Sequence, residues 1–209
     1  GLVSLGHGGF MGIGMPVHND IVIPYFLCYG TPTQQARWLP GNDLELKRPE
    51  ELRLDKMDKV AARKTRTVIM MIGALMHDHE LFKIPYAGGC NLGRRTVAPH
   101  LYGLEEFGVN IHATHGNYNV SVNKKVPQRV VLYESGDTVT ENILMAAARM
   151  DGETIVQFAS GNYMVQEVGF FLQKLGVQIE GLGTATIRIR GLSGPVKKNV
   201  VYAPSEDPI

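Results

Sequence analysis

The feature that most constrains the fold of this chain is an internal repeat. The segments Phe-Gly-Val-Asn-Ile and Leu-Gly-Val-Gln-Ile match with Gly108 and Gly176 in register, 68 positions apart. Each copy reads helix, strand, helix, strand. The first helices, predicted over 67–77 and 140–150, are apolar nearly all round, which is typical of buried helices. The repeat therefore predicts an α/β protein with helices inside and sheets outside.

The end of each second helix supports this interpretation. Gly108 and Gly176 stand where a helix C-terminus favours a left-handed residue. The residues that follow alternate between apolar and polar, as in Val109-Asn110-Ile111, and such alternation predicts a half-buried strand.

One loop distinguishes the two copies. Aligning Phe82 with Ile155 puts the preceding strands 73 positions apart, so the first copy carries five extra residues before its second helix. Those residues fall in the Gly-Gly-Cys and Arg-Arg segment. Because function concentrates on loops held by rigid elements, we expect a site there.

The segment Pro85–His100 has the composition of an anion-binding loop. Its glycines allow the backbone to approach a ligand closely. Arg94 and Arg95 supply fork-shaped donors suited to phosphate, and their charge favours the reactive thiolate of Cys90. The alternative interpretation is a surface turn with a buried, inert cysteine.

Three segments carry a family resemblance: TRTVIMMIGALM, GGCNLGRRTVAPHLYGLEEFGV and ENILMAAARMDGETI. They resemble the UDP-N-acetylglucosamine 1-carboxyvinyltransferases of the enolpyruvyl transferase superfamily. The resemblance covers residues 41–209 and implies repeated β/α units with helices packed inward and sheets outward. This chain would hold two such units, 41–125 and 126–209, as a partial domain.

The resemblance also implies an activity, the transfer of the enolpyruvyl group of phosphoenolpyruvate to a UDP-sugar hydroxyl. That step belongs to the synthesis of cytoplasmic peptidoglycan precursors and needs no cofactor and no metal. Cys90 matches the family's general acid, Arg95 and Arg66 match arginines that meet anionic ligands, and His100 matches a histidine at the end of the loop. Arg94, beside Arg95, is a further candidate ligand. The missing second domain or self-association would complete the cleft, so we expect the fragment alone to be inactive.

Several positions depart from the family pattern. Ala98 stands where an Asp is usual, and the turns 136–140 and 160–163 differ from the nucleotide-binding and Arg-Glu-Pro-Glu turns. The phosphate-facing side is thus retained and the uridine-facing side altered. A non-catalytic binding or structural module that kept the scaffold and the anion-binding loop is the alternative function.

Residues 1–40 look foreign to this fold. A glycine-rich start is followed by a run containing Tyr-Gly-Thr-x-x-Gln-x-x-x-Trp-Leu-Pro, which resembles an N-terminal helical stretch of acyl-CoA dehydrogenases. We expect a leader that is helical beyond Val17 and takes no part in the repeated sheets, and we carry no activity over to it.

Composition excludes other classes. A net charge of +1 gives no basic face for nucleic acid, and no apolar run reaches the roughly 18 residues of a membrane span. The only cysteines, Cys28 and Cys90, do not suggest a disulfide framework, which fits a reducing cytoplasm. His77 and His79 could be metal ligands, but histidines at a helix C-terminus are expected without a metal.

Overall fold

The computed structural model describes residues 3–5, 52–63, 66–87, 97–194 and 200–202. Short 3-10 turns cover Leu54–Lys56 and Arg66–Met70. The helices are α1 (Lys59–Ala62), α2 (Met71–Leu75), α3 (Ala98–Glu105), α4 (Asp137–Ala147) and α5 (Tyr163–Leu175). The strands are β1 (Val3–Leu5), β2 (Leu81–Pro85), β3 (Val109–Thr114), β4 (Asn117–Val122), β5 (Arg129–Val131), β6 (Glu153–Gln157), β7 (Gln178–Glu180), β8 (Thr186–Arg190) and β9 (Val200–Tyr202).

Three antiparallel strands follow the same order in two of the sheets. The first runs β2-β4-β3 and is antiparallel throughout. The second runs β5-β6-β8-β7, in which β6, β8 and β7 are antiparallel and β5 lies parallel to β6. β4 lies between β2 and β3, and β8 lies between β6 and β7, so these two sets of three strands have the same arrangement.

The pairing register corrects the alignment made from sequence. In the first sheet, Val120 of β4 pairs with Ile111 of β3 and with Phe82 of β2. In the second sheet, Ile189 of β8 pairs in the same way with Ile179 of β7 and with Thr154 of β6. Phe82 therefore corresponds to Thr154, 72 positions away, and not to Ile155. A shift of one residue exchanges the faces of a strand, and Phe82 is buried whereas Ile155 is partly exposed. The first copy consequently has four extra residues before its second helix rather than five.

The core lies between the sheets and is built around α2 and α4. Every residue from Val139 to Ala147 is buried, as are Ile72 to Leu75. The sheets present alternate side chains to these helices, with the burial pattern of β8 alternating from Thr186 to Arg190. The α/β class with helices packed inward and sheets outward is confirmed.

The left-handed glycines expected at the helix ends are also confirmed. Gly108 has φ 75° and Gly176 has φ 107°, and Gly176 is the C-cap of α5. A β-carbon on Gly108 would lie 2.5 Å from the carbonyl oxygen of Lys124, so both conformation and space require glycine there.

Part of the leader pairs with the far end of the chain. β1 and β9 form an antiparallel two-stranded sheet, separate from the other two. Residues 17–40 lie outside the described part of the chain, so their helical character and the boundary at residue 40 stay predictions. Within the residues that the structure describes, no helix is long and apolar enough to cross a membrane.

Candidate functional site

Several helices begin at one end of the core. His100, in the first turn of α3, lies 3.3 Å from the hydroxyl of Thr138 in the first turn of α4. Asn162, the N-cap of α5, donates from Nδ2 to Oδ2 of Asp137 at 2.9 Å. Arg66, the first residue of its 3-10 turn, is close enough for its charge to act on His100. The N-termini of four helical segments therefore converge here.

Arg66 supplies the permanent positive charge of this cluster. Arg66 is partly buried, and its charge acts on Tyr118 as well as on His100. Burial raises the pKa of Tyr118, and the charge of Arg66 opposes that rise. Tyr118 in turn packs against Tyr86 with ring centroids 4.7 Å apart. Arg66 is thus near both Tyr118 of β4 and His100 of α3.

His100 is neutral. Its side chain is 1 % exposed, and both ring nitrogens have protein partners, Asn142 and Thr138. Burial, with a smaller effect from Arg66, lowers the pKa of His100 from 6.5 to about 4. At neutral pH this residue can donate or accept hydrogen bonds but contributes no charge.

Asn142 connects the three inner helical segments. Its Oδ1 accepts from the backbone nitrogen of Gly73 at 2.9 Å. Its Nδ2 donates to the carbonyl of Ile69 at 3.2 Å and to Nδ1 of His100 at 3.2 Å. The sequence analysis missed this residue, although an asparagine inside an otherwise apolar helix needs buried partners and could have been recognised by that requirement.

Two carboxyl groups lie in the first turns of α4. Asp137 accepts hydrogen bonds from the Ser160 hydroxyl at 2.5 Å and from Asn162. Glu141, one turn further on, is 1 % exposed, and its Oε2 has no hydrogen-bond partner among the residues that the structure describes. Burial, and secondarily the charge of Asp137, raise the pKa of Glu141 to about 8, so this group is largely protonated at pH 7. The sequence analysis singled out neither residue.

Within the described residues, the structure brings together two of the sequence-predicted site residues, Arg66 and His100. Cys90, Arg94 and Arg95 lie outside the described residues, in the segment 88–96. The segment before that gap ends next to Tyr86, and the chain resumes at the start of α3, so both flanks adjoin the cluster. Among the described residues no group of three or more His, Cys, Asp and Glu side chains could hold a metal ion.

The first turns of α3, α4 and α5 lie near one another at one end of the inward-packed helices, and the charge of Arg66 acts on His100 there. Helix N-termini and arginine side chains both favour anions. The family profile of "EPSP synthase (3-phosphoshikimate 1-carboxyvinyltransferase)" matches residues 45–206. The chain belongs to this family.

Curated relatives are enolpyruvyl transferases by name. UDP-N-acetylglucosamine 1-carboxyvinyltransferase 1 of Clostridium acetobutylicum is 35% identical over 152 residues, covering 73% of this chain and 36% of the relative. UDP-N-acetylglucosamine 1-carboxyvinyltransferase 2 of Clostridium tetani is 33% identical over 147 residues, covering 70% and 35%. The chain therefore spans about a third of the length of these relatives.

A solved structure supports the fold. The enolpyruvyl transferase NikO from Streptomyces tendae has a TM-score of 0.53 to this chain at 19% identity, covering 69% of this chain and 33% of that one. At this identity the likeness concerns the fold alone.

Proposed function

We propose that this chain is part of an enzyme that transfers the enolpyruvyl group of phosphoenolpyruvate to a hydroxyl of a UDP-sugar, as in peptidoglycan precursor synthesis. The relatives named above support the reaction type. The single structural observation that carries the proposal is the convergence of helix N-termini around Arg66.

Both proposed substrates are anions. Helix N-termini carry partial positive charge and free N–H groups, so they favour phosphate and carboxylate oxygens. α3, α4 and α5 are 8, 11 and 13 residues long, and each presents its first turn at this end of the core. Arg66 adds a full charge, and the Arg94 and Arg95 side chains of the adjacent segment would add two more.

The chemistry requires a group that donates a proton and cationic groups that hold the phosphate as it is expelled. A proton adds to the methylene carbon of phosphoenolpyruvate, and the oxygen of the sugar hydroxyl bonds to the neighbouring carbon as the hydroxyl proton is released. Loss of inorganic phosphate together with a proton of the new methyl group then restores the double bond. Cys90 would deliver the first proton, and Arg66 and Arg95 would hold the phosphate. His100, being buried and neutral, would take part through hydrogen bonds and not through charge.

The length of the relatives bears on what this chain does alone. Because it spans about a third of them, much of the cleft would come from residues outside this sequence. We therefore expect the chain to bind phosphoenolpyruvate without turnover unless a further domain or a second copy completes the cleft. Binding without turnover in every assembly would favour the alternative of a non-catalytic module.

Calorimetric titration with phosphoenolpyruvate tests the proposal. The unaltered chain should bind, and R66A should weaken binding at least tenfold because a charge-assisted contact is lost. R188A is the matched control, since Arg188 lies on an exposed strand position and pairs with Glu153. Equal affinity of R66A and R188A, or no binding by the unaltered chain, would reject the proposed site.

Labelling of Cys90 tests the general acid separately. Cys90 should react with a thiol reagent faster than Cys28, and phosphoenolpyruvate should slow its reaction. C90S should abolish phosphate release in any assembly that turns over. If phosphoenolpyruvate protects neither cysteine from the thiol reagent, Cys90 is not part of the site.

A further inference from the structure

We propose that the hydroxyl of Thr138 is a ligand-binding donor whose direction is set by a hydrogen-bond relay through Gly73, Asn142 and His100. Its ligand is an oxygen of the anionic substrate, a phosphate or carboxylate oxygen. The proposal rests on the proposed function for its ligand, but the relay itself rests only on contacts within the protein.

The first step fixes the Asn142 amide. A backbone N–H can only donate, so the atom 2.9 Å from the Gly73 nitrogen is the amide oxygen. A carbonyl can only accept, so the atom 3.2 Å from the Ile69 oxygen is the amide nitrogen. Two backbone groups therefore agree on one orientation of this side chain.

The second step fixes the His100 tautomer. The amide nitrogen of Asn142 lies 3.2 Å from Nδ1 of His100. Because an amide nitrogen only donates, Nδ1 accepts and carries no proton. A neutral imidazole keeps its one proton on the other nitrogen, so Nε2 is the N–H donor.

The third step concerns Thr138. Nε2 of His100 lies 3.3 Å from the Thr138 hydroxyl oxygen, which must therefore accept. The hydroxyl hydrogen is left to point elsewhere. His100 is the sole hydrogen-bond partner of the Thr138 hydroxyl among the residues that the structure describes, and Thr138 is only partly buried. Its hydrogen is thus available to a ligand that approaches the start of α4.

The chemistry of the surroundings selects the ligand. A hydroxyl constrained to donate complements an oxygen that can only accept, as in a phosphate or an ionised carboxylate. The charge of Arg66 acts on His100 and so lies beside the relay, which further favours an anion. Thr138 would then act as a specificity-determining residue, and Asn142 and His100 as positioning residues.

The tautomer is testable without any ligand. Nitrogen-15 NMR of the full chain labelled at histidine should show His100 with an unprotonated Nδ1 and a protonated Nε2, assigned by loss of its signals in H100Q. The opposite tautomer, or an exchanging mixture of the two, would overturn the relay.

The ligand contact is tested by two substitutions at one position. T138V removes the hydroxyl at nearly constant shape and should weaken binding of phosphoenolpyruvate or of UDP-N-acetylglucosamine about tenfold, whereas T138S should restore it. T154V is the matched control, since it removes a buried hydroxyl from β6. Titrating the two ligands separately identifies which one supplies the oxygen.

The outcomes separate this inference from the proposed function. If the unaltered chain binds and T138V binds both ligands with the same affinity, the role of Thr138 alone is overturned. Absence of binding by the unaltered chain would overturn the proposed function and the ligand role together, while leaving the tautomer measurement to decide the relay.

Discussion

The backbone nitrogen of Gly73 donates to Oδ1 of Asn142 at 2.9 Å, and this bond joins the two central helices of the protein. A β-carbon on Gly73 would lie 2.3 Å from the backbone oxygen of Asn142 and 2.5 Å from Oδ1. The close approach of α2 and α4 therefore depends on the missing side chain, and the hydrogen bond depends on the close approach.

G73A should destabilise the chain by about 3 kcal/mol, because the helices must separate and Asn142 loses a partner. G194A is the control, since a β-carbon on Gly194 meets no atom of the described residues within 4 Å. Urea denaturation measures the free energy of unfolding of both variants. Similar stability of G73A and G194A would mean that α2 and α4 do not pack as described.

Two buried threonines should respond oppositely to the same substitution. The hydroxyl of Thr154 is buried and has no hydrogen-bond partner within the described part of the chain, so T154V should be neutral or stabilise the chain by about 1 kcal/mol. The hydroxyl of Thr140 donates to Gly136 at 2.7 Å and accepts from the Ser160 backbone at 3.0 Å, so T140V should destabilise by about 1–3 kcal/mol. Thermal unfolding of both variants checks the expected difference in sign, and a loss of stability in T154V would contradict it.

The sequence predicted the buried helices because their apolar character needs no knowledge of distant contacts. The sequence predicted the first residues of these helices less accurately. α4 begins at Asp137 rather than at residue 140, and the first four residues of the other predicted helix, 67–70, belong to a 3-10 turn. These starts are set by polar contacts with other segments, such as Asn162 with Asp137, which local patterning does not contain.

The site was only partly predictable for the same reason. Arg66 was predicted through a motif, and it is the first residue of a 3-10 turn that leads into α2. The roles of Asn142 and Thr138 depend on contacts with His100 across 42 and 38 positions of sequence. Only the fold brings those residues together, and the register of Phe82 likewise emerged from strand pairing.

Acid should destabilise the protein through His77 and His100. Burial is the largest cause that lowers the pKa of each to about 4, against 6.5 when unfolded. As pH falls from 6.5 to 4 the unfolded chain binds protons that the folded chain does not, so stability is lost, by a few kcal/mol in all. H100Q should reduce this loss. Chemical denaturation at pH 7 and pH 5 measures the loss of unfolding free energy in both proteins. If H100Q loses as much between these pH values as the unaltered chain, His100 is not a buried neutral residue.

Alkali should destabilise it through Glu141. The pKa of this group is raised from 4.5 to about 8 in the folded chain, so between those values the folded chain retains a proton that the unfolded chain has lost. Stability from this group is complete below pH 4.5 and is lost as pH rises to 8, by roughly a few kcal/mol. E141Q removes the titration and should be more stable than the unaltered chain at pH 9, whereas E105Q, on an exposed position of α3, should not. Denaturation curves at pH 6 and pH 9 for the three proteins decide the matter, and parallel losses in E141Q and E105Q would show that Glu141 is ionised in the fold.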